Sequence, residues 1–264
     1  MKSLKQHIII MAALSCMLFA ACNKEEQEVT KAMQVVINGY NGSEHAWQVA
    51  IDTTVYDASA MHGKFIINSA SMVSFNAVYT SPLNQQATLT LTDTATRTVL
   101  FSKQLPASGT KALFNFIYFD GKELAIQQPA ADPTTNKLGF YIRYAASDAP
   151  FDIFLYRQDA TTGMEYRAYL TKNAKPNTWI YTDYMPTADF DSKNALNGAT
   201  ICFTKTGTTD QWAFGDSEYF SKVPTFGMNF PLAGEKGIVQ PYFLTPGAGQ
   251  LDITRLYFYA DRPW

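Results

Sequence analysis

The chain has 264 residues, 47% of them hydrophobic and only 17% charged, which excludes a disordered polypeptide and leaves room for one large domain or two of ordinary size. A formal net charge of −2 argues against a nucleic-acid partner, because no surplus of cations is available to neutralise phosphates. Three cysteines are too few for a disulfide framework.

At the N-terminus, Lys2 and Lys5 precede an apolar run over residues 8–21, interrupted only by Ser15 and Cys16. The run falls short of the roughly 20 residues a membrane span needs and fits the core of a secretory signal peptide. It ends in Phe19-Ala20-Ala21-Cys22, which resembles the bacterial lipobox, with Phe19 where the usual pattern has Leu. The resemblance implies a signal peptide over residues 1–21 and a lipidated thiol at Cys22. Each buried lipid CH₂ would contribute roughly 0.8 kcal/mol, so two or more chains anchor stably where one does not. Residues 22–32 begin polar and acidic and read as a flexible tether. Within them Lys24-Glu25-Glu26 resembles the export signal of surface-exposed lipoproteins of the Bacteroidetes. That resemblance implies an outer-membrane protein whose lipid anchor makes the membrane its partner, and whose folded part faces the cell exterior.

Beyond the tether, period-2 patterns replace any sustained helical period. Strands are predicted at residues 34–37, 47–51, 65–67, 73–79, 88–92, 99–101 and 112–119. Val73, Phe75, Ala77 and Tyr79 share one face of theirs, and Asn38-Gly39, Asn41-Gly42, Ser81-Pro82, Ser108-Gly109 and Asp120-Gly121 mark turns. That density is the density of a β-sandwich, placed at residues 33–127. Residues 128–136 are polar and proline-containing and read as a linker. A second sandwich is expected over residues 137–264, with strands at 138–144, 152–156, 165–170, 178–182, 200–204, 237–243 and 252–259, and one helical turn at 192–196. The predicted fold class is therefore all-β, two consecutive Ig-like or transthyretin-like β-sandwich domains. A strand–polar turn–strand opening recurs at residues 36–52 and 138–156, an internal echo of two related sandwiches. Residues 144–150, Tyr-Ala-Ala-Ser-Asp-Ala-Pro, also resemble the opening of a bacterial extracellular domain family of unknown function.

Signals for chemistry are sparse. Past the signal segment the histidines are His45 and His62, and no HExxH, CxxC or Gly-x-Ser-x-Gly pattern occurs. Cys202, within Ile201-Cys202-Phe203, reads as a small buried hydrophobe. Asp189, Asp191, Asp210, Asp216 and Glu218 fall in loops, where Asp mostly caps its own backbone. Asp210, Asp216 and Glu218 are a loose calcium pattern; otherwise no metal or cofactor is expected. Aromatic residues concentrate in the second block. Flat aromatic faces beside Asp and Asn can stack sugars, and Trp212, in a polar loop, leads the candidates, followed by Trp179, Trp264 and Tyr181. Asp52-Thr53-Thr54 and Asp93-Thr94-Ala95 resemble the O-glycosylation pattern of Bacteroidetes surface proteins, which makes Thr53 and Thr94 candidates for modification.

The expected function is a non-catalytic surface lipoprotein, a binding or accessory module. What the resemblance to Bacteroidetes surface lipoproteins implies is glycan capture or an outer-membrane protein partner. A pilus or adhesin subunit, with residues 251–259 as a donated strand, is the alternative. A glycoside-acting enzyme, requiring two convergent carboxylates, is the third reading.

Overall fold

A computed structural model describes residues 30–56, 66–83, 85–259 and 262. The signal segment, Cys22, the tether up to residue 29, His62 and Trp264 lie outside the described residues. The chain divides into two units: residues up to Ala32 together with Thr80–Gln85, and Met33–Tyr79 together with Gln86–Trp264. Among the described residues no helix is long and apolar enough to cross a membrane.

The strands are β1 (Thr30–Gly42), β2 (Trp47–Ile51), β3 (Thr54–Tyr56), β4 (Ile66–Ile67), β5 (Ser71–Pro82), β6 (Thr88–Asp93), β7 (Val99–Gln104), β8 (Lys111–Phe119) and β9 (Lys122–Glu123). They continue as β10 (Asn136–Ile142), β11 (Phe151–Gln158), β12 (Glu165–Ala174), β13 (Trp179–Tyr184), β14 (Thr200–Lys205), β15 (Lys222–Pro224), β16 (Val239–Pro246) and β17 (Leu251–Arg255). One helical turn, α1 (Lys193–Asn197), is capped by the Ser192 hydroxyl, which accepts from the Ala195 N–H. The sheets run β5-β1-β8-β9, β3-β2-β6-β7 with β4 on β2, β13-β10-β16-β17, and β12-β11-β14-β15.

Two hydrophobic cores follow from strand alternation. Val35 and Ile37 of β1, Val73 and Phe75 of β5 and Phe116 of β8 meet Trp47, Val49, Leu89 and Leu91 from the second sheet. Phe140 and Ile142 of β10 and Tyr242 and Leu244 of β16 meet Ile153, Leu155, Ile201 and Phe203 from the fourth. Each pair of sheets is thus a sandwich-like layer structure.

The opposite faces of β1, β8, β10 and β16 are apolar as well. Tyr40, Ile117, Phe119, Tyr141, Phe243 and Leu256 form a third buried cluster. Phe243 stacks on Tyr141 with ring centroids 5.7 Å apart and lies 5.3 Å from Tyr40. Asn38 and Asn115, register partners on β1 and β8, hold the chain that leaves β17. Asn115 donates to the Tyr257 carbonyl at 2.8 Å and accepts from its N–H at 2.7 Å, while Asn38 donates to the Arg255 carbonyl at 3.0 Å. The strand expected over residues 252–259 ends at Arg255: the Leu256 N–H still reaches the Pro241 carbonyl of β16, and beyond it Tyr257 bonds the Asn115 side-chain amide instead.

The expected linker is a pinned turn at its end. Asp132 caps Thr134, and Asn136, fully buried, already belongs to β10 and bonds the Glu235 carbonyl and the Ile238 N–H. Just before it, Leu124 and Ile126 pack on the third cluster.

Candidate functional site

The outer face of the sheet β12-β11-β14-β15 carries the aromatic site. Because Ile153 and Leu155 point into the core, Phe154 and Tyr156 point away from it. The register sets Phe154 beside Tyr169 and Cys202, Tyr156 beside Arg167, and Cys202 beside Lys222. Trp212 joins through a bridge to Thr204. The loop that delivers it is tightly held. Buried Asp152 accepts the Gly207 N–H at 3.0 Å, Thr204 donates to the Thr208 carbonyl, and the Lys205 N–H bonds the Gln211 carbonyl. Past Trp212 the chain dips inward: Phe214 is buried, and its N–H donates to the Ser221 hydroxyl at 2.9 Å.

Cations lie among the rings. The Lys222 ammonium is 4.8 Å from the Trp212 ring centre and 5.7 Å from that of Tyr156, the Arg167 guanidinium is 5.6 Å from Tyr156, and Lys172 sits 4.3 Å over Tyr169. Such contacts hold long side chains in place. Around Trp212 lies a depression of about 210 Å³ lined also by Thr209, Asp210, Tyr156 and Lys222. A neighbouring depression of about 320 Å³ is lined by Glu218, Tyr219, Lys222 and Gln250. Lys222 is common to both and pairs with Glu218. Tyr219 is 75% exposed, although its backbone is pinned, its carbonyl accepting the Leu251 N–H. The two hollows therefore adjoin at Lys222, a polar groove in two parts with an aromatic ring lining each.

Cys202 lies under this groove, 2% exposed, and burial pushes its thiol up to about 11, so it stays protonated at neutral pH. The Trp212 hollow contains one carboxylate, Asp210. Of the calcium candidates, Asp216 pairs with Lys205 at 2.6 Å and Glu218 with Lys222, and among the described residues no group of three or more His, Cys, Asp or Glu is placed to hold a metal.

The other expected residues lie elsewhere. Trp179 and Tyr181 stack on each other on β13 with ring centres 5.9 Å apart. The Trp179 indole N–H donates to the Ala125 carbonyl at 3.0 Å and the Tyr181 hydroxyl to the Gln127 carbonyl, so both hold the connecting segment and neither reaches the Trp212 groove. Thr53 is exposed in the turn between β2 and β3, whereas the Thr94 hydroxyl donates to the Ala46 carbonyl at 2.9 Å. His45 faces Asp93 at 3.0 Å. The other Asp93 oxygen accepts the N–H groups of Ala95 and Thr96. The Thr96 bond above all, with help from His45 and Ala95, lowers the Asp93 carboxyl to about 2, the signature of a turn cap. Tyr219, Tyr156 and Lys222 are not singled out by the sequence: Tyr219 adjoins Phe220 with nothing local to say which ring faces out, and the contribution of Lys222 depends on a cross-strand register that no local pattern encodes.

No known protein family and no curated protein matches the chain. Among solved structures it is similar to a candidate cell adhesion protein from Bacteroides uniformis, at 11% identity and a TM-score of 0.27, over 84% of this chain and 97% of that one. It is also similar to a family CBM26 module from Eubacterium rectale Amy13K, solved in complex with maltoheptaose, at 14% identity and a TM-score of 0.25, over 88% and 98% of the two chains. The tip fimbrial protein Mfa3 from Porphyromonas gingivalis is a third, at 10% identity and a TM-score of 0.20, over 86% of this chain and 100% of that one.

Proposed function

We propose that the protein is a non-catalytic cell-surface binding module, lipid-anchored to the outer membrane through Cys22, that captures an oligosaccharide in the groove between Trp212 and Tyr219. In this reading residues 33–127 and 137–264 are its two Ig-like or transthyretin-like domains. The observation that carries the proposal is the pair of hollows sharing Lys222, with an aromatic ring and polar side chains in each. Sugar C–H faces pack on aromatic rings, and hydroxyls find partners in Thr209, Asp210, Gln250 and Lys222. The pilus reading needs a free strand, and β17 is hydrogen-bonded to β16 along Leu251–Arg255. Glycan-array screening followed by calorimetry tests the proposal. Trp212→Ala and Tyr219→Ala should each weaken binding about tenfold, near 1.4 kcal/mol. Absence of binding to any glycan, or binding indifferent to both substitutions, would refute it.

A further inference from the structure

A separate hollow of about 400 Å³ opens at α1, outside the Trp212 groove. Its floor is apolar: Leu196 of α1 and Phe230 are buried, and Leu232 packs beside them. One rim is the turn Thr225–Met228, closed by the Met228 N–H on the Thr225 carbonyl and tied to α1 by the Thr225 hydroxyl, which donates to the Leu196 and Ala199 carbonyls. Phe226, within that turn, is 74% exposed and lines the hollow.

The charges around the hollow are one-sided. Lys193, Arg255 and Arg262 line it against one acid, Glu235. Glu235 is already engaged, since Arg262 donates to both its oxygens at 3.1 and 2.9 Å and the Leu232 N–H donates to one of them at 2.6 Å. Arg262, only 9% exposed, also donates to the carbonyls of Asn229 and Phe230, so that pair is part of the wall. Arg255 braces the rim through the Gly227 carbonyl. The exposed Lys193 side chain has no hydrogen bond or ion pair among the described residues.

We infer that this hollow binds a small amphiphilic carboxylate: a flat apolar body between Phe226 and the Leu196–Phe230 floor, with its anionic end toward Lys193 and Arg255. The volume is that of an ordinary small-molecule site. Cations at the rim of an apolar pocket favour an anion over its neutral isostere, because the charge-assisted bond forms beside a desolvated surface. The inference stands independently of glycan capture, since this hollow shares no lining residue with the Trp212 groove.

The test is calorimetric titration of the full chain with 2-naphthoate and, separately, with naphthalene-2-carboxamide. The acid should bind one-to-one in the high-micromolar to millimolar range expected of a ligand with about a dozen heavy atoms. The amide should bind at least about tenfold more weakly, and added salt should weaken only the acid. Phe226→Ala and Lys193→Gln, both at exposed positions, should each weaken the acid several-fold, and Trp212→Ala should leave it unchanged. Equal affinity for acid and amide, no binding of the acid up to about 20 mM, or indifference to both Phe226→Ala and Lys193→Gln would overturn the inference.

Discussion

Replacing Phe243 by Ala should weaken the fold more than its distance from either sandwich core implies. The ring is buried in the third cluster, 5.3 Å from Tyr40, 6.2 Å from Phe119 and 5.7 Å from Tyr141, so it contacts strands of both sandwiches at once. Truncating a buried Phe costs about 3–5 kcal/mol through lost transfer energy and the cavity left behind. Each favourable ring pair adds about 0.5–1.5 kcal/mol beyond area burial. With a urea dependence of about 1–3 kcal/mol per molar, the unfolding midpoint should fall by about 1–5 M. Urea titration, followed both by Trp fluorescence and by hydrogen exchange of peptides from β8 and β16, is the assay. Faster exchange should appear in both strands, because the ring joins them. A midpoint shift under about 0.3 M, or faster exchange confined to β16, would refute the view that this cluster is a packed joint.

Gly39 lies opposite Phe116 in the β1–β8 ladder, and a Cβ there would sit 1.7 Å from the Phe116 carbonyl oxygen; Gly39→Ala should therefore cost at least about 3 kcal/mol in urea unfolding. The Asp93 carboxyl titrates at about 2 in the folded chain against an ordinary value of 3.8, so its stabilisation is complete above the ordinary value and is lost as pH falls through the lowered one. Thermal midpoints measured on acidification should decline across that window, and Asp93→Asn should make the decline shallower. Cys202 should resist alkylation at about pH 8 in the native protein and react once urea exposes it, as judged by peptide mapping of that residue.

Much of the strand pattern was legible because one face of a strand was dry and the other wet. In β6 the burial alternates as Thr88-Leu89-Thr90-Leu91-Thr92 predicts, and in β5 Val73 and Phe75 turn inward while Ser74 and Asn76 stay out. The alternation disappears in β10, β11 and β16, which are buried on both faces, so a continuous apolar run gave their presence but not the destination of each side. The third cluster was hidden for that reason: Tyr141 and Phe243 alternate with core residues, and nothing local reveals a second apolar partner beyond them. Trp212 was visible as an aromatic in a polar loop. Its companion Tyr219 was not, because the groove between them depends on the Lys222 register and on the Leu251 bond that pins the Tyr219 backbone. Trp179 and Tyr181 carried the same aromatic signal as Trp212, and only tertiary placement assigned them to the connecting segment.

The parallel pairings of β1 with β8 and of β10 with β16 bear on how the chain reaches its fold. Gln34 aligns with Lys111 and Lys137 with Val239, so the central ladder of each sandwich joins segments far apart in sequence. Entropy must be surrendered to close those loops before the ladder returns anything, and topologies of this kind fold slowly, on millisecond-to-second scales. A chain emerging from its N-terminus has β10 in hand long before β16 exists to pair with it, and Asn38 and Asn115 wait for Arg255 and Tyr257. Completion is therefore a late event governed by residues beyond 239. Until then the apolar faces of β10 and β11 are open to water and to other chains, the condition under which a folding intermediate is prone to aggregate.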